Sequence, residues 1–314
     1  MLELIMVIVT LGIVSSIGSS IIANIYEQYL LQRATHKATL KTELAAQQIS
    51  NYLSYRIHGT TLARNPADLT DNLLVTDNTN ASDIIHTQLE WIGSNNEGFS
   101  SSLLPGWNGF ADINASSQAG IITPGSNLTL ANTILSNLSK DSSGASRVSL
   151  SGARNPAIFF RDRRYTVDTG KITLQLYNPL SCMGMTSANS SCISAVGSSA
   201  AETLSFNTAS AAVADKLLVE HYKLAMSAYS ICPKPRGDNN YDLILYHNYQ
   251  PWEGERLDGT NCSSSVGESA TIIKNVTVFK FAESGNTLRF KLCAQENIGA
   301  EFNITICKEK AIIL

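Results

Sequence analysis

The sequence predicts an α+β protein in which one long N-terminal helix lies against a mostly antiparallel β-sheet. Three observations carry that prediction. An apolar run opens the chain and passes, without Gly or Pro, into a one-sided helical pattern. The C-terminal half is dense in β-branched and aromatic runs separated by turn residues. All six cysteines lie in that half. The 314 residues are enough for a substantial core, and an apolar content of 44% excludes a disordered chain. Charged residues are only 16% and the formal net charge is −3. No basic excess exists to hold a phosphate backbone, so a nucleic-acid-binding domain is not expected.

The helix comes first. From Leu4 to Tyr26 the chain reads LIMVIVTLGIVSSIGSSIIANIY, 23 residues without Asp, Glu, Lys, Arg, His or Pro. At about 1.5 Å per residue this spans a hydrocarbon core. A cleaved secretory signal would need a basic start and a shorter apolar run, and neither is present. Residues 27–58 continue the helix in amphipathic form. Leu30, Ala34, Ala38, Ala45, Ile49, Tyr52, Leu53 and Ile57 recur at helical spacing, with Glu27, Arg33, Lys37, Lys41, Glu43 and Gln47 on other faces. Leu44, Ala45, Ile49, Tyr52, Leu53 and Ile57 are expected to cover the sheet, and Gly59 to stop the helix. The domain reading is a membrane helix over 1–26, its amphipathic half over 27–58, a variable segment over 59–150 and a β-domain over 151–314.

Residues 59–150 are rich in Ser, Thr and Asn, and no charged side chain occurs from 113 to 139. Short apolar runs at 84–89, 121–122 and 134–138 predict brief elements among loops, with Trp91 and Trp107 pinning them to the core. From about 156, strands are expected over Ile158–Phe160, Tyr165–Val167, Lys171–Tyr177, Lys216–Tyr229, Tyr241–His247, Ile272–Phe281, Thr287–Cys293 and Phe302–Cys307. Turns are expected at Asp168-Thr169-Gly170 and Glu283-Ser284-Gly285-Asn286.

Six cysteines in a β-domain read as disulfides. Fifteen connectivities are open to them, and sequence alone selects none. Loop closure and strand order favour Cys182–Cys192, Cys232–Cys262 and Cys293–Cys307. Asp238, Asn240 and Asp242 have the opening spacing of a calcium loop, but no Gly stands at its sixth place and no Glu closes it. A polar turn is the better reading there. No zinc pattern, nucleophile elbow, metalloprotease pair or phosphate loop occurs. Neither a cofactor nor an enzymatic activity is expected.

One residue of the helix carries more meaning than hydrophobicity. Glu3 places a carboxylate at the lip of the apolar run, where an unpaired charge moving inward costs a few kcal/mol, roughly. The stretch MLELIMVIVTLGIV resembles the N-terminal signature of type IV pilins and type II secretion pseudopilins, the prepilin-type methylation motif. Glu3 and Leu4 match the family's glutamate and its hydrophobic flank; Leu11, Gly12 and Ile13 match its Leu-Gly-Ile. The match is strong over about 20 residues, and the bipartite helix extends it to about 58. Size and pattern resemble the large minor subunits of the J or W type.

The resemblance implies a pilin-like fold and a role for these residues. Glu3 would pair with the N-terminal amine of a neighbouring subunit as helices stack into a fibre core. The implied partners are other pilin or pseudopilin subunits, the inner membrane, and a prepilin peptidase before maturation. The chain would begin at the family's third mature position, without leader or cleavage glycine. Arg33, Lys37 and Lys41 follow the apolar run, which on charge alone favours a cytoplasmic C-terminal domain. A basic leader of the family's kind would reverse that, and the cysteines favour the same, periplasmic side. The expected function is priming of, or a tip position on, a bacterial pilus or secretion pseudopilus. The alternative is a membrane-anchored adhesin or binding domain that never polymerises.

Overall fold

The computed structural model describes residues 2–76, 85–99, 105–117, 119–160, 164–168, 171–175, 178–207, 218–298 and 302–313. Helix α1 runs unbroken over Leu2–Ser54, 53 residues. It is followed by β1 (Leu62–Asn65), β2 (Asp68–Leu74), β3 (Gln88–Ser94), α2 (Asn96–Phe99), β4 (Asp112–Ser117), β5 (Gly120–Ile122), α3 (Leu128–Leu138) and β6 (Ala157–Phe160). Then come β7 (Arg164–Asp168), β8 (Lys171–Gln175), β9 (Ser194–Ala200), β10 (Thr203–Phe206), β11 (Tyr222–Pro235), β12 (Tyr241–Tyr249), β13 (Glu268–Ser284), β14 (Thr287–Ile298) and β15 (Phe302–Ile313). The fold is α+β, and the pairings in its large sheet are antiparallel.

That sheet follows the order β15-β14-β13-β12-β11-β6-β9-β10-β5-β4, with β3, β1 and β2 branching from β11. Strand β11 is its spine. It pairs with β12 through residues 228–235 and with β6 through 222–225, while β3 pairs with residues 225–231. Thus β1 and β3, from within residues 59–150, are integral to the sheet. Hairpin β7–β8 stands apart as a two-stranded unit. The turn expected at Asp168-Thr169-Gly170 falls partly outside the described residues, as do residues 176–177 and 216–217 of two expected strands.

Alternation of side chains separates two cores across the sheet. Leu89, Trp91, Leu243, Leu245, Leu288, Phe290 and Leu292 face α1 and pack with its Ala45, Ala46, Ile49 and Leu53. On the other face, Ile92, Cys232, Tyr246 and Tyr249 meet Met183, Met185, Trp252 and Leu257 from the long loops. A third core gathers Leu128, Ala131 and Leu135 of α3 against Ile121, Leu204, Leu224 and Trp107. Both Trp91 and Trp107 are buried, as the sequence suggests.

Two sequence expectations need correction. The helix ends at Ser54, five residues before Gly59, because the chain beyond it joins the sheet. Arg56 forms a β-bridge with Gly93, the Ile57 amide donates to the Ile92 carbonyl at 2.8 Å, and the Ser94 amide donates to the Tyr55 carbonyl at 2.8 Å. Gly93 suits that edge: a Cβ there would stand 2.6 Å from the Tyr229 ring. Leu44 does not face the sheet. It is 70% exposed, one helical step from the buried Ala45, and Ala46 takes the place assigned to it.

Candidate assembly helix and its seat on the sheet

The candidate site grows out of the contrast between the two halves of α1. Every residue from Glu3 to Tyr29 is exposed except the half-buried Gly18. Leu4, Leu11 and Ile13 are 68%, 67% and 55% exposed, and a Cβ built on Gly12 would touch nothing within 4 Å. The helix is long and apolar enough to cross a membrane. Two hydroxyls in the run turn inward on the backbone. Thr10 Oγ1 donates to the carbonyls of Met6 and Val7, and Ser20 Oγ to that of Ile17. Hydroxyls satisfied within the helix are what a hydrocarbon surrounding requires. Glu3 sits in the first turn, where its charge also suits the helix dipole.

The second half is seated by packing and by charge. Ala38, Thr42, Ala45, Ala46, Ile49 and Leu53 are buried, and Thr42 Oγ1 bonds back to the Ala38 carbonyl at 2.8 Å. Lys37 and Lys41 both reach Glu296 at the end of β14, the latter at 3.5 Å. Glu43 takes Lys310 at 2.7 Å and Lys308 at 3.1 Å, both from β15. Hydrogen bonds from Lys310 and then Lys308 hold the Glu43 carboxyl below its ordinary range; the Lys37 bond does the same for Glu296. The helix therefore runs in the direction of β15, because Glu296 stands opposite Ile304 and Glu43 lies further along at 308–310. At the helix end, buried Arg56 donates to the Leu53 carbonyl and to Glu283 at 3.2 Å.

Both carboxylates have lowered folded-state pKa values, so their contribution is present above the ordinary glutamate range and is lost as pH falls from that range through the lowered values. Amide exchange across Lys37–Ala46, taken relative to the intrinsic rate at each pH, is expected to accelerate on acidification through that window, while exchange in β11 on the same scale stays unchanged. Equal acceleration in both would assign the effect to the whole fold.

The six cysteines form three bridges, Cys182–Cys192, Cys232–Cys262 and Cys293–Cys307, and no cysteine is free. The first closes a Ser-rich loop whose Met183 and Met185 are buried in the second core. The third joins directly opposed residues of β14 and β15. Asp238, Asn240 and Asp242 lie in the β11–β12 hairpin. There Arg236 stands between the carboxylates, 3.6 Å from Asp238 and 3.2 Å from Asp242, and the Asn240 amide group donates to Gln295. A guanidinium occupies the ground a cation would need, which favours the polar turn. Among the described residues, no group of three His, Cys, Asp or Glu side chains could hold a metal ion.

The ion pairs that seat α1 were invisible to sequence reasoning, as was a buried network in the second core. In that network Arg64 pairs with Glu90 and donates to the Met185 carbonyl, while Tyr249 donates to Glu90 at 2.8 Å. Burial, with the Glu90 charge beside it, pushes the Tyr249 phenol well up. An alternating Lys308-Glu309-Lys310 in the last strand was the one available hint, and it names no partner. No protein-family model, curated protein or solved structure matches this chain.

Proposed function

We propose that this chain is a minor subunit of a helix-cored fibre, a type IV pilus or type II secretion pseudopilus, acting in priming or at the tip. One observation carries the reading. A single helix leaves an apolar half bare, with one carboxylate in its first turn, and seats its other half on an antiparallel sheet. A bare apolar helix is stable in a bilayer or among like helices, and passage between the two is what a fibre subunit does. In either setting Glu3 needs a positive partner, and a neighbouring subunit's N-terminal amine supplies one at a fixed axial step. The paired cysteines support a sheet domain on the oxidising, periplasmic side of an inner membrane.

Replacing Glu3 by Ala is expected to leave membrane-fraction abundance unchanged, because insertion follows hydrophobicity. Incorporation into sheared fibres should fall more than about tenfold, since a matched buried pair loses one member. Equal incorporation of both forms would leave α1 a membrane anchor and favour the non-polymerising binding domain.

A further inference from the structure

We infer that the outer edge of β15 is a docking site for an extended, uncharged segment of a different polypeptide, which adds to the sheet as one more strand. β15 ends the sheet path, and its twelve residues pair with β14 in unbroken register from Thr287–Ile313 to Ile298–Phe302. Long, regular edges are what folded proteins ordinarily blunt with bulges, prolines or brevity. At the other end of the path, β4 is six residues long and its pairing with β5 is irregular between Asp112 and Ser117. β15 has no bulge, proline or brevity to guard it; Lys308, Glu309 and Lys310 charge its C-terminal stretch, which leaves Phe302–Ile306 as the unguarded part.

The register shows which groups the edge offers. Cys293 and Cys307 stand directly opposite with Cα atoms 4.0 Å apart, the close spacing of a non-hydrogen-bonded antiparallel pair. The Cys307 amide and carbonyl therefore point away from β14. By alternation, so do those of Asn303, Thr305, Glu309 and Ala311, and the side chains of all five are exposed. Among the described residues this is a row of unpaired donors and acceptors at the spacing of a strand.

The chemistry of the edge selects the occupant. Lys308 and Lys310 share the one Glu43 carboxylate, which leaves a single positive charge at that end, and Glu309 pairs with Lys291 at 3.1 Å. From Phe302 to Ile306 the strand carries no charge. Leu40, Glu43 and Gln47 share a helix face at spacings of three and four, and Glu43 reaches β15, so that face flanks the free edge. Leu40 on it is 50% exposed. Along Phe302–Ile306 an added strand thus meets uncharged, largely β-branched neighbours on one side, with the exposed Leu40 on the helix flank.

A symmetric, two-fold pair of copies does not fit. Antiparallel pairing of two β15 edges about a two-fold axis would set their α1 helices antiparallel, and both could not enter one membrane; this exclusion rests on the membrane reading above. The partner is therefore a different chain, recognised by its backbone and by alternating small or β-branched side chains, in the manner of strand addition.

The test uses the full chain in detergent micelles and a fluorescent, end-capped ten-residue peptide of alternating Thr and Val. Saturable binding is expected. Thr305→Pro removes an outward amide without touching the β14 ladder, and should weaken binding at least about tenfold, as proline is tolerated on such an edge but blocks its growth. Thr305→Val keeps the amide and should bind like the parent. Should the proline form fail to fold, amide exchange of the unaltered protein decides: the peptide must slow exchange at Thr305, Cys307 and Glu309. Unsaturable binding, binding indifferent to Thr305→Pro, no slowing at those amides, or a dimer of the chain through β15 would each overturn the proposal.

Discussion

Arg64→Met is expected to destabilise the sheet domain by about 3–5 kcal/mol, the cost of leaving a buried carboxylate without its cation. Arg64 and Glu90 are 2% and 1% exposed, so water cannot replace either partner. What remains for Glu90 is the Tyr249 hydroxyl at 2.8 Å, a single neutral donor. Domain stabilities are commonly about 5–15 kcal/mol, so the loss is a large share of the whole. Replacing both members, Arg64→Met with Glu90→Leu, should recover most of it, because two apolar groups leave no orphaned charge. Denaturant midpoints with the bridges intact decide. A double variant as unstable as the single one would mean that the hydrogen bonds to Met185 and Tyr249, not the charge pair, hold this region.

The second large effect concerns the seat of α1. Ile49 and Leu53 are fully buried, and truncating either to Ala should cost about 2–5 kcal/mol. Leu44→Ala, one step round the same helix, should cost almost nothing. A chain beginning at Glu27 is expected to fold cooperatively in an oxidising compartment, since it keeps the seated half and loses the bare one. A chain beginning after Gly59 should aggregate. It exposes the sheet face over Leu288, Phe290 and Leu292, and covering such side chains contributes about 1.5–3 kcal/mol each. An equally sharp melt from the shorter chain would make the helix a mere stalk and remove the architectural ground for a fibre subunit.

The legible parts of this fold were those written locally. A bare apolar run, a helical repeat, and the Glu283–Asn286 turn between β13 and β14 all declare themselves within a few residues. The cysteine pairing was legible only as a preference for neighbours in sequence, and the Cys232–Cys262 bridge, 30 residues apart, shows how little local chain specifies it. What failed to show was set from a distance. The helix stops at Ser54 because β3 offers residues 55–57 a partner, and no local signal marks β3 as that partner. β9 reads Ser-Ala-Val-Gly-Ser-Ser-Ala, a poor strand by propensity that forms because β6 and β10 flank it. β11 runs on through Pro233 and Pro235, where turn residues end a local reading. Arg236, two residues before Asp238, is a local sign of the same polar turn that the missing Gly and Glu indicate. The pairs joining Glu43 and Glu296 to lysines far along the chain leave no trace in spacing at all.

The bridge between Cys293 and Cys307 also sets how the protein bears a pull. An edge strand loaded from one end comes away rung by rung, each rung resisting alone. Glu43 grips Lys308 and Lys310, which lie beyond the bridge toward the C-terminus. Tension drawn through α1 runs along the strands and meets Glu296 of β14, through Lys37 and Lys41, before it meets β15 through Glu43. The bridge makes those two strands one covalent unit, so neither is loaded alone, and β13, paired with β14 from Val276 to Ser284, takes up the load in shear.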